Sequence, residues 1–114
     1  MVLPSIGAVV LLPFPFSDLS GSKLRPALVL AQASRDDWIL CQITSRPYAD
    51  PRSVELRPEG FSRGGLKLVS YVRPGKLFTA HGGIILREAG HVTSEVLQEA
   101  IGSVVDLLQL GTSP

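Results

Sequence analysis

Over the first ninety residues the apolar positions fall in short runs divided by Pro, Gly and charged residues, not in long helical stripes. Residues 6–12 form a β-branched run closed by Pro13, the pattern of a buried strand. Residues 13–23 are rich in Pro, Ser and Gly, hold Phe14 and Phe16, and exceed what a hairpin turn needs, which favours a functional loop. Pro26 removes an amide and pushes Arg25 toward extended backbone, so Arg25 is expected at the mouth of a second strand over 27–31. Arg35-Asp36-Asp37 then turns the chain into a third strand over 38–44, antiparallel to the second. After an irregular connection at 45–51, Ser53-Val54-Glu55-Leu56 alternates as a half-buried edge strand between Pro51 and Pro58. Residues 60–65 read as a loop and 66–72 as a strand. Pro74-Gly75 reads as a turn into 76–80, and 84–86 as one further short strand after Gly82-Gly83. Six or seven short antiparallel strands with close turn signals define a mainly β fold, a small barrel or sandwich.

The C-terminus changes period. Thr93 suits an N-cap, Glu95 suits the first turn, and Val96 takes the third position, so no full capping box forms. Val96, Leu97, Ala100, Ile101, Val104, Val105 and Leu108 recur on one wide helical face, and Gly111 stops the helix. Gly102, mid-helix, costs about 1 kcal/mol against Ala and is expected to mark close packing.

The length of 114 residues fits one domain spanning 1–114, with room for a hydrophobic core. Apolar residues make up 45% and charged ones 18%, which excludes a disordered chain. The positive mean hydropathy, +0.26, points to apolar surface covered by a partner, most simply a second copy. A net charge of +1 does not advertise nucleic-acid binding, so any such role rests on local clustering of Lys and Arg. The one cysteine, Cys41, excludes an internal disulfide and reads as a buried thiol. His81 and His91 stand alone, without the spacing of a metal site, so no metal or cofactor is expected. No signal peptide, membrane span, repeat or low-complexity tract is evident, and a cytoplasmic chain is the expectation.

Two readings fit the loop at 13–23. Phe14 and Phe16 beside cations are a sensible way to hold a splayed nucleic-acid strand, with Lys23 and Arg46 steering its backbone. The plainer alternative is a hairpin whose rings fold back onto the core. Tyr71 and Arg73, two apart on one strand, share a face, and Lys76 follows them. The three belong either to a nucleic-acid surface or to a half-polar sheet face.

Gly7-x-Val9-Val10, Pro13-Phe14-Pro15-Phe16-Ser17-Asp18, Gly21-x-Lys23-x-Arg25-Pro26-Ala27-Leu28-Val29-Leu30 and Gln42-Ile43-Thr44-Ser45 resemble the MazF/PemK family of toxins from toxin–antitoxin systems. The similarity runs over residues 6–108. It implies an SH3-like barrel with a C-terminal helix, a homodimer, and sequence-specific cleavage of single-stranded RNA without a metal. It also implies an acidic, partly disordered antitoxin as partner, together with which such toxins bind DNA. The family's essential arginine falls on Arg25, and its catalytic threonine or serine on Thr44, with Ser45 ranking second. RNA supplies its own nucleophile: a 2′-hydroxyl attacks the neighbouring phosphate, leaving a 2′,3′-cyclic phosphate and a 5′-hydroxyl. A guanidinium is always charged and forks onto two phosphate oxygens, so Arg25 suits charge stabilisation and not the role of general base. The chain departs from some relatives at Val69-Ser70, where they carry an arginine and an aspartate. The proton acceptor is then expected to be water, Asp18 or His81. A catalytically silent SH3-like module that binds nucleic acid, or a barrel dimer that binds only a peptide, are the rival readings.

Overall fold

The computed structural model describes residues 3–15, 22–46 and 50–112. Its strands are β1 (Ala8–Pro15), β2 (Ser22–Gln32), β3 (Asp37–Thr44), β4 (Val54–Leu56), β5 (Phe61–Gly64), β6 (Ser70–His81) and β7 (Arg87–Val92), followed by helix α1 (Ser94–Leu110). All pairings are antiparallel, in the order β4-β6-β3-β2-β1-β7-β5, and the sheet bends into a nearly closed barrel. The mainly β, SH3-like expectation holds, with seven strands.

The three central strands are apolar at consecutive positions because both of their faces are covered. Val9, Leu28, Cys41 and Ile43 enter one core cluster, with Val54, Leu56 and Val72. Their neighbours Val10, Leu12, Ala27, Val29 and Leu40 enter a second, edged by Phe14, Trp38 and Phe78. Helix α1 closes the first cluster. Ala100 is fully buried, and Leu97, Ile101 and Val104 pack beside it. Thr93 caps the helix through its hydroxyl, which accepts from the Val96 amide at 3.3 Å, and Gly111 ends it with φ of 76°. The apolar stripe is wider than its cover: Val105 and Leu108 remain exposed.

Several element boundaries differ from expectation. β1 and β2 run well into the predicted loop, with Phe14 opposite Lys23 and Arg25 opposite Leu12. Beyond Leu11, β1 pairs with β2 and no longer with β7, so Pro13 and Pro15, two apart, turn their missing amides to the same unpaired edge. Pro74-Gly75 does not end a strand. The β3–β6 register jumps between Cys41–Leu77 and Ile43–Val72, and the proline lies inside that irregularity, where no ladder amide is required. The segment 84–86 is no strand either. A 3-10 turn, Gly82–Ile84, leads to β7, which has little β-branched content and forms because β1 and β5 pair with it on both sides. Gly90 permits this: a Cβ there would lie 2.8 Å from both the Arg63 carbonyl oxygen and the Gly65 amide. Gly102, by contrast, has nothing within 4 Å of where a Cβ would be, so the close packing expected there is absent.

Candidate functional site

The β2–β3 ladder, with Ala27–Gln42, Leu28–Cys41 and Val29–Leu40 as partners, stops two residues short of Arg25 on one strand and of Thr44 on the other. Thr44 in turn pairs with Tyr71 of β6, which also faces Glu55 of β4. Cross-strand partners share a face, so the threonine and the tyrosine lie side by side on neighbouring strands.

A cavity of about 260 Å³ opens at this end of the sheet. Lys23, Leu24, Arg25 and Pro26 of β2 form one wall, and Ile43, Thr44 and Ser45 the floor. Leu66, Lys67, Leu68 and Ser70, at the approach to β6, form the other wall. Three cations and the hydroxyls of Thr44 and Ser45 thus meet in one space, the Ser70 proton being donated to the Leu68 carbonyl, and among the described residues no carboxylate or imidazole lines it. Such a lining suits an anion held by charge and by hydroxyl donors together.

Arg25 is half-buried and lines the cavity, and among the described residues its guanidinium has no ion pair. Thr44 is 9% exposed, and its hydroxyl oxygen accepts from the Arg46 amide at 3.2 Å. That bond orients the oxygen and leaves the hydroxyl proton to be donated into the cavity. The chain from Thr44 to Arg46 makes a tight bend there, which brings Ser45 to the rim.

None of the remaining predicted residues that the structure describes lines the cavity. Phe14 is half-buried in β1, its ring edge-on to Phe78 at 5.0 Å, within the margin of the second core cluster. Phe16 and Asp18 lie outside the described residues. Arg46 is exposed beside Thr44. Tyr71 and Arg73 share a face as expected, but Arg73 points to Asp50, its Nε 3.9 Å from the carboxylate, and Lys76 is exposed in the irregular middle of β6. His81 stands opposite Asp37, at the far end of β3 from Thr44. Seven residues of strand separate the two, roughly 23 Å. Its Nδ1 accepts from the Gly83 amide at 2.8 Å, closing a turn. His81 is therefore remote from the cavity.

Sequence reasoning missed the wall formed by Leu66, Lys67, Leu68 and Ser70. Leu66-Lys67-Leu68-Val69 alternates as a strand does, and only the preceding Gly64-Gly65 pair hinted at a break in the ladder. Among the described residues no group of three or more His, Cys, Asp or Glu is arranged to hold a metal, and no helix is long and apolar enough to cross a membrane.

A bent, nearly closed sheet of seven strands with a C-terminal helix places the chain in the class of small β-barrels closed by a terminal helix. Solved structures share this fold. A MazE–MazF structure from Deinococcus radiodurans superposes with a TM-score of 0.75 at 23% identity, covering 96% of this chain and 99% of the other. An endoribonuclease in complex with its cognate antitoxin, from a mycobacterial species, gives 0.75 at 18% identity, with 98% and 100% covered. The Mycobacterium tuberculosis toxin MazF-mt6 gives 0.70 at 14%, with 90% and 96% covered. No curated protein matches the chain. Residues 6–108 match the family of PemK-like, MazF-like toxins of type II toxin–antitoxin systems, and the chain belongs to that family.

Proposed function

We propose that this chain is an endoribonuclease toxin that cleaves single-stranded RNA without a metal and is silenced by an acidic antitoxin. The observation that carries the reading is the opening of Arg25 and Thr44 into one cavity, with Lys23 and Ser45 beside them. Family membership supports it, as do the likeness to an endoribonuclease held by its antitoxin and to a MazE–MazF pair.

An unstacked strand enters with one phosphodiester against Arg25 and the Thr44 hydroxyl. The 2′-oxygen attacks phosphorus as its proton leaves to water, and the bond from phosphorus to the 5′-oxygen breaks as that oxygen takes a proton from water. The products are a 2′,3′-cyclic phosphate and a 5′-hydroxyl. Arg25 faces the charge that grows on the two non-bridging oxygens and donates to them through a planar fork. Thr44 donates its hydroxyl proton to the same phosphate, and its Arg46 tether keeps the oxygen in place. Arg46 and Lys76 lie exposed, and with Tyr71, Arg73, Phe14 and Phe16 they extend the path of the strand. The active form is a homodimer in the cytoplasm, and with the antitoxin it binds DNA.

The lining of the cavity favours a second reading. Among the described residues no carboxylate or imidazole borders it, which suits a module that holds nucleic acid without cutting it. A long single-stranded RNA incubated with the protein and a chelator separates the two. Discrete fragments ending in cyclic phosphate, absent when the cut position carries a 2′-deoxy sugar, support the enzyme. Protection without scission supports the binder.

A further inference from the structure

We infer that Lys67 is a second phosphate-binding residue of this cavity, fixed opposite Arg25 so that it grips the phosphate next to the scissile one. The inference rests on the proposed single-strand substrate and adds a residue that neither the sequence nor the family resemblance marks.

Lys67 lies in the stretch between β5 and β6 that forms the wall facing β2. A lysine on a free loop carries little directional information, but this one is braced on both sides. Leu66 packs against the first core cluster, and the carbonyl oxygen of Leu68 accepts the Ser70 hydroxyl at 2.9 Å. Ser70 is itself buried at the start of β6, where it pairs with Leu56 of β4. The backbone on either side of Lys67 is therefore tied to the barrel while its side chain is exposed to the cavity. Among the described residues no carboxylate pairs with it.

Charge on both walls has a consequence for length. Lys23 and Arg25 come from β2, and Lys67 from the opposite side of the same cavity. One phosphate seated against Arg25 and Thr44 leaves Lys67 to meet a neighbouring phosphate along the strand. Leu68, 65% exposed beside it, offers an apolar surface to the intervening base. An acidic peptide would also meet three cations. Convergence on one cavity, with hydroxyl donors between the cations, fits a phosphodiester with several oxygens better than carboxylates spaced along a chain.

The test is the salt dependence of binding to an all-deoxy single-stranded oligonucleotide, which the chain cannot cut by 2′-hydroxyl attack. Each phosphate neutralised on a single strand contributes about 0.7 to the slope of log affinity against log salt. Lys67→Met is expected to lower the slope by about 0.7, Lys67→Arg to keep it, and Ser70→Ala to weaken binding at low salt with Lys67 still present. An unchanged slope in Lys67→Met overturns the inference. So does a loss confined to a poly-glutamate peptide, with oligonucleotide binding intact. If the slope falls as expected while the wild-type chain leaves RNA uncut, Lys67 keeps this role and the nuclease reading fails.

Discussion

Thr44 carries two duties that a substitution separates. Its oxygen receives the Arg46 amide, and its proton is free to meet a ligand in the cavity. Thr44→Ser keeps both and is expected to stay within about tenfold of wild-type RNA cleavage. Thr44→Val removes both and is expected to lose about 10²–10³ in single-turnover rate, the usual cost of one donor to a developing oxyanion. Cys41 shows the opposite situation, a polar group with no task. Burial among Val9, Leu28 and Ile43 pushes its thiol up to about 12 from an ordinary 9.0. The unfolded chain ionises this thiol near pH 9 while the fold keeps it protonated, so unfolding releases a proton in that window. Stability is complete below pH 9 and falls through pH 9–12 at about 1.4 kcal/mol per unit from this group. Denaturant midpoints of wild type and Cys41→Ala across that range check it: the gap between them narrows as pH rises.

At the scale of elements, legibility followed the source of each element's stability. β2 and β3 were readable because burial on both faces writes consecutive apolar residues into the chain, as in Ala27-Leu28-Val29-Leu30 and Leu40-Cys41. Helix α1 was readable from its cap, its period and its stop. β7 was not, since Arg87-Glu88-Ala89-Gly90-His91-Val92 is extended only because strands pair with it on both sides. Gly90→Ala is expected to destabilise by about 1–3 kcal/mol, because its Cβ would meet backbone that cannot yield. Gly102→Ala should do the reverse. Open space surrounds that position, and thermal unfolding should rise with a gain of about 0.5–1 kcal/mol. Of the site, Arg25 and Thr44 were legible through their motif. The wall with Lys67 was hidden, because its alternation mimics a strand and its closeness to Arg25 exists only once β6 has paired with β3 and β4.

At the scale of the whole molecule, a net charge of +1 conceals a concentrated feature: three cations share one cavity while the rest of the surface balances them. The same surface leaves Val105, Leu108 and Leu110 of α1 uncovered, with Leu108 at 70% exposure. Apolar side chains left on a helix in this way favour association, and sedimentation equilibrium is expected to return twice 12.2 kDa. The central claim is that the arginine on β2 stabilises charge on an RNA phosphate beside the hydroxyl on β3. Its most direct measurement is the single-turnover rate of scission of one single-stranded RNA by wild type, Arg25→Ala and the Arg25→Ala/Thr44→Val pair. Arg25→Ala is expected to lose at least about 10², with little further loss in the pair because both groups serve the same phosphate. Scission by Arg25→Ala at the wild-type rate would contradict the central claim.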